Sequence, residues 1–218
     1  MTGECFSETL RAAAEPDWTR ATTHPFTRAL AADTLELAVY ARYLVQDYVF
    51  LDALTALVGA AVAAAPSMVE KKRFAGFLAV LTGDENAYFG RAFEALGVSP
   101  ASWRAAARAP VTHRFEGLLA EARRGDYADI LAVLVPVEWV YETWASAVAD
   151  ARPSRFYYAE WITLHTDPGF RDFVAWMRAE LDRHGPDGGV DRVAGRVALF
   201  RRAVALEVAF FDAAFASK

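Results

Sequence analysis

The sequence predicts an all-α protein. Apolar residues recur three and four positions apart over long stretches, nothing alternates convincingly with the two-residue period of a strand, and Pro and Gly fall in a few punctuating clusters. The chain has 218 residues, 55% hydrophobic and 13% aromatic. That is enough to bury a full core, and no linker divides it, so one domain over residues 1–218 is expected.

Residues 34–65 give the clearest helix: they hold no internal Pro, Thr34 or Asp33 can cap the start, and Pro66 stops it. A second helix runs from a Ser67 cap towards Gly97, with Gly83 as its kink or weak point. Further helices are signalled by residues 112–124 after Pro110, by 126–150, by 156–166, and by 168–185 with Pro168 in the first turn. Residues 185–189, GPDGG, make a loop before a final helix from Val190. Roughly eight helices with short connections are what a helical bundle requires.

The formal net charge of −5 and the scatter of the arginines oppose a nucleic-acid partner. Cys5 is the only cysteine, so no intramolecular disulfide and no cysteine-held metal centre can form, and a reducing compartment is expected. The first residues carry no basic segment followed by an apolar one, and the run LTALVGAAVAAAP is too short and Ala-rich to span a bilayer. The expected setting is therefore cytoplasmic, with no membrane partner.

Three acids interrupt apolar helix faces. Asp47 has Tyr43, Leu44, Phe50 and Leu51 three and four positions away, and Glu207 has Ala203, Val204, Phe210 and Phe211. Glu138, inside ILAVLVPVEWVYETW, has Leu134, Val135, Tyr141 and Glu142. A buried ionised carboxylate without a partner costs several kcal/mol or more, roughly, so each is paired, neutralised or used. Any one of them could simply meet an arginine or a tyrosine hydroxyl. Three on separate helices would instead converge in a bundle core, where desolvation raises carboxyl pKa values and suits them to proton transfer. The aromatics Phe50, Phe115, Trp139, Tyr141, Trp144 and Trp161 serve as core packing or as walls for a planar heteroaromatic ligand.

Other chemistries lack their patterns. A carboxylate-bridged metal pair needs Glu-x-x-His on facing helices, and the nearest approach is Glu85-Asn-Ala-Tyr88, so neither metal nor other cofactor is expected. Of the four histidines, His24 reads as a helix-start residue and His184 as a helix C-terminal one; His165 is left without so simple an account. G-x-S-x-G, the P-loop pattern and GxGxxG are all absent.

Residues 24–58, HPFTRALAADTLELAVYARYLVQDYVFLDALTALV, carry His-Pro-Phe, a spacer, Thr-Leu and then Tyr-Leu-x-Gln-Asp-Tyr. This resembles the signature of the TenA family, the thiaminase II-like proteins. LVPVEWVYETW, YAEWITLHTDPGF and ALEVAFFDAAF are similar to three further segments of that family, so the resemblance spans most of the chain.

The resemblance implies a haem-oxygenase-like all-α fold, a homotetramer without haem or metal, and hydrolysis of thiamin-derived aminopyrimidines. Asp47 matches the family's pyrimidine-binding Asp, Glu207 its C-terminal catalytic Glu, and Tyr141 the Tyr four residues after the nucleophile. The nucleophilic cysteine itself falls on Val137, and the pocket tyrosines fall on Phe50, Phe115 and His165. Valine cannot attack a ring carbon, so the chain resembles the subgroup that lacks the cysteine, relies on a Glu, and salvages formylamino- or aminomethyl-pyrimidines. The expectation is a water-using hydrolase with Glu207 as general acid/base, Glu138 assisting, and Asp47 on the pyrimidine edge. The alternative is a non-catalytic pyrimidine-binding or regulatory protein.

Overall fold

A computed structural model describes residues 5–216, and every regular element among them is helical. In chain order these are α1 (Phe6–Ala13), α2 (Asp17–Thr22), α3 (Pro25–Ala31), α4 (Leu37–Ala64) and α5 (Met68–Val80). A π turn (Leu81–Glu85) joins α5 to α6 (Asn86–Ala95). Beyond it lie α7 (Pro100–Arg104), α8 (Pro110–Ala122), α9 (Tyr127–Ala147), α10 (Phe156–Thr166), α11 (Pro168–His184) and α12 (Val190–Ala216). The all-α reading is correct, but short helices before residue 34 and at Pro100 raise the number above the eight expected. The helix expected over 67–97 is divided by the π turn that contains Gly83, a register change rather than a break.

Local chemistry explains most boundaries. Ser67 caps α5 by accepting from the Val69 N–H (3.1 Å), and Asp167 caps α11 by accepting from the Gly169 N–H (2.8 Å). His24 starts α3 as expected, its Nδ1 accepting from the Phe26 N–H at 3.1 Å. The start of α4 departs from expectation: Glu36 occupies the cap position without a side-chain bond. Asp33 sits at φ 60° and is drawn away to Ser154 (backbone N–H, 2.8 Å) and Arg155 (2.6 Å).

The central helix is α9, packed against α4, α8, α10, α11 and α12. Every residue from Ile130 to Tyr141 is buried, which is why this segment is apolar all round rather than striped. Its start is locked by a capping box between Asp126 and Asp129. Arg196, itself buried, reaches both acids from α12 (3.0 and 3.1 Å) and donates to the Gly185 carbonyl at 2.9 Å. That network fixes the axial position of α12 against α9. Helix α4 is long and apolar enough, by length and composition, to cross a membrane. Here it packs against α5, α8 and α9, with Tyr40, Tyr43, Leu44, Leu57 and Val58 buried.

Candidate active site

Seven elements, α6 among them through Phe89, meet around a cavity with about 480 Å³ of empty space. Asp47 and Phe50 come from α4, Glu85 from the π turn, Phe115 from α8, Val137, Glu138 and Tyr141 from α9, Trp161 and His165 from α10, and Glu207 and Phe210 from α12. All eight residues singled out in the sequence, Asp47, Phe50, Phe115, Val137, Glu138, Tyr141, His165 and Glu207, line it. Trp139 and Trp144 do not. Trp139 packs on Trp18 (ring centroids 4.7 Å) under the Arg178 guanidinium, and Trp144 is buried beside Tyr141 and His165.

Gln46 explains how α8 is brought into this arrangement. Its Oε1 accepts from the Ala109 N–H (2.8 Å) and the Thr112 hydroxyl (2.7 Å), and its Nε2 donates to the Ala107 carbonyl (3.0 Å). With the start of α8 pinned to α4, Phe115 meets Phe50 at 4.7 Å between ring centroids, a tilted pair that walls one side of the cavity.

The acids are four, not three. Glu85 joins Asp47, Glu138 and Glu207, and no ion pair reaches any of the four among the described residues. Glu180 shows what an ordinary buried acid looks like in the same protein. It is 1% exposed and meets Arg183 at 2.9 Å and the Tyr127 hydroxyl at 3.1 Å. The cavity acids have no such cation, and Glu138 Oε1 is buried without any hydrogen-bond partner. Trp161 Nε1, also in the lining, is likewise buried and unpartnered. One is an orphan acceptor and the other an orphan donor, both in the lining of the cavity.

Burial is the leading cause of the electrostatics. It pushes Glu85 up to about 8. It raises Asp47 well above the carboxylate range, with repulsion from Glu85 adding. Glu138 rises through burial, then Glu85 and Asp47; Glu207 rises through burial, then Asp47 and Glu138. Asp47 and Glu85 are half-buried by surface, and both line the cavity, Glu85 facing the outer groove as well. Acids that interact this way titrate as a set rather than one by one.

His165 is neutral: burial lowers it to about 4. Its Nδ1 lies 2.8 Å from the Trp161 carbonyl, which can only accept, so Nδ1 carries the proton and Nε2 is left as an acceptor. Tyr43 and Tyr141, the second of which lines the cavity, share a hydrogen bond of 2.7 Å between their hydroxyls. Neutral carboxyls, a hydroxyl pair and flat aromatic walls suit a heteroaromatic ring with amino groups and ring nitrogens.

Glu85 escapes the sequence reading, where it figures only as half of a metal-ligand pattern. Its signal is present all the same, since Leu81, Tyr88 and Phe89 stand three and four positions away. Among the described residues no group of three or more His, Cys, Asp and Glu side chains is disposed to hold a metal ion.

Comparison with known proteins places this arrangement in context. The sequence model of the TENA/THI-4/PQQC family matches residues 11–216. An aminopyrimidine aminohydrolase of Halalkalibacterium halodurans is 24% identical over 214 residues, covering 96% of this chain and 95% of that protein. An aminopyrimidine aminohydrolase of Bacillus subtilis is 25% identical over 170 residues, covering 78% and 72%. Among solved structures, a TenA family transcription regulator from Silicibacter sp. superimposes with a TM-score of 0.87 at 25% identity, covering 99% of this chain and 98% of that one.

Proposed function

The chain belongs to the TENA/THI-4/PQQC family and has its haem-oxygenase-like helical fold, and from that premise we propose a hydrolase of thiamin-derived aminopyrimidines that uses water in place of a cysteine nucleophile. The observation that carries this reading is the set of four unpaired carboxyls around an aromatic-walled cavity, with Val137 where the resembled family keeps its nucleophile. The family resemblance also suggests a homotetramer in the cytoplasm.

In this reading the pyrimidine lies against Phe50 and Phe115, and Asp47 engages its amino and ring-nitrogen edge. Glu138, whose Oε1 is free to accept, takes a proton from water as the water oxygen bonds to the carbon bearing the leaving nitrogen. The C–N bond breaks, Glu207 gives the nitrogen its proton, and the amine leaves while a hydroxyl remains on the pyrimidine. Exchange with solvent returns the two carboxyls to their starting states. The reaction needs one ionised and one protonated acid, a state that a coupled set of carboxyls passes through as it titrates. Val137, 3% exposed, fills the place of a nucleophile and offers no covalent route.

The test is turnover of a panel of aminomethyl- and formylamino-pyrimidines, with the hydroxymethyl product followed by mass spectrometry. Glu207→Gln is expected to abolish turnover and Glu138→Gln to reduce it about 100-fold or more, within the range of general acid–base catalysis. Binding without turnover on every substrate would favour the second reading, a non-catalytic pyrimidine-binding protein, which the valine at position 137 supports.

A further inference from the structure

We propose that Glu85 receives the leaving arm of the substrate and makes the site selective for arms ending in a basic amine over neutral amide arms; the proposal rests on the hydrolase reading above. An outer groove with about 2070 Å³ of empty space runs between α5 on one side and α10 and α11 on the other. Glu85, Glu138 and His165 line both this groove and the inner cavity. They form the junction between the two. A ring held between the inner aromatics therefore directs a substituent across these three side chains.

The junction is rich in acceptor sites. Glu138 Oε1 is buried and unpartnered, His165 presents Nε2 as a lone pair because Nδ1 donates to the Trp161 carbonyl, and Glu85 adds a carboxyl that forms no ion pair among the described residues, though Lys72 and Arg73 line the outer groove with it. A protonated or neutral amine offers N–H donors to all three. An N-formyl arm offers a single N–H, and its carbonyl oxygen meets a lone pair and not a donor at His165 Nε2.

The backbone supports a placement made for the purpose. Glu85 is the last residue of the π turn, which interrupts what is otherwise a continuous helical path from α5 into α6. A π turn holds one residue more than the α path it replaces. Removing that residue rotates α5 by about 100° relative to α6. Such turns are rare and gather at functional sites.

The experiment measures kcat/KM for an aminomethyl- and a formylamino-pyrimidine, and the calorimetric affinity of the same amine and of hydroxymethylpyrimidine. Wild type, Glu85→Gln, Glu85→Asp and a deletion of Thr82 are compared, the deletion restoring the α path. For Glu85→Gln the expected result is about a 10- to 100-fold loss on the amine in kcat/KM and in affinity, the scale of a hydrogen bond to a charged group. The formylamino substrate and hydroxymethylpyrimidine should change less than about threefold on the same scale. Glu85→Asp should recover part of the amine preference, and the Thr82 deletion, if it folds, should repeat the Gln phenotype. Equal losses on both arms, or an unchanged affinity for the amine, would overturn the proposal. Should wild type turn over no pyrimidine, the hydrolase reading fails, while the affinity comparison still decides the part given to Glu85.

Discussion

The Tyr43 hydroxyl meets the Tyr141 hydroxyl at 2.7 Å, joining α4 to α9 at the cavity that Tyr141 lines. Burial and neighbouring acids, Asp47 first among them, hold both phenols well above their usual pKa, so both remain neutral and one donates to the other. Tyr43→Phe is expected to cost about 1–2 kcal/mol in chemical denaturation, because it strips a buried hydroxyl of its partner. The double variant Tyr43→Phe/Tyr141→Phe should cost less than the sum of the two single changes.

Gln46 is the hinge pin of the substrate wall. Replacing it with Leu removes three hydrogen bonds that hold the start of α8, and the freed segment no longer sets Phe115 against Phe50. The expected outcome is about 1–3 kcal/mol of lost stability. In steady-state kinetics KM should rise more than kcat falls, since the change lies in the ring's wall and not among the acids.

Cavity acids and packing acids should respond oppositely to removal. Glu138→Leu relieves a buried, unpartnered carboxyl and is expected to raise stability by about 1–2 kcal/mol while lowering turnover. Glu180→Leu strips Arg183 and the Tyr127 hydroxyl of their partner, and its expected effect is a loss of about 1–3 kcal/mol. Thermal unfolding of the two variants beside wild type checks both signs.

Stability should fall as pH rises through the neutral range. The Glu85 carboxyl goes from an ordinary 4.5 to about 8 on folding, so between those values the unfolded chain releases a proton that the folded one keeps. Its contribution is complete below about 4.5 and gone above about 8. Asp47, Glu138 and Glu207 are raised and act in the same direction. His165 opposes them only on the acid side: lowered from 6.5 to about 4, it loses stability as pH falls through that interval. Urea midpoints are expected to decline steadily from about pH 6.5 to 8, and Glu85→Gln to flatten the decline.

Much of this is legible in the letters. Asp47, Glu138 and Glu207 announce themselves because each has apolar neighbours at helical spacing, and burial is what makes such an acid unusual. The same spacing marks Trp139 and Trp144, yet both serve packing, because spacing identifies a buried face without telling which neighbour covers it. Asp33 has the look of a cap in the sequence, but its true partners, Ser154 and Arg155, lie more than a hundred positions away. The π turn has no comparable signature. Gly83 marks its place, but whether a helix breaks, kinks or widens there depends on what α5 and α6 pack against.

The four acids sit at positions 47, 85, 138 and 207, spread over most of the chain, and Arg196 ties the segment bearing the last of them to the start of α9. No contiguous fragment short of that span contains the whole constellation. Two pieces separated in the exposed turn at residues 123–126, each inert alone, should therefore regain ligand binding on mixing. Arg196→Ala should weaken that complementation more than it weakens the intact protein, in which the chain itself keeps the two halves at high local concentration.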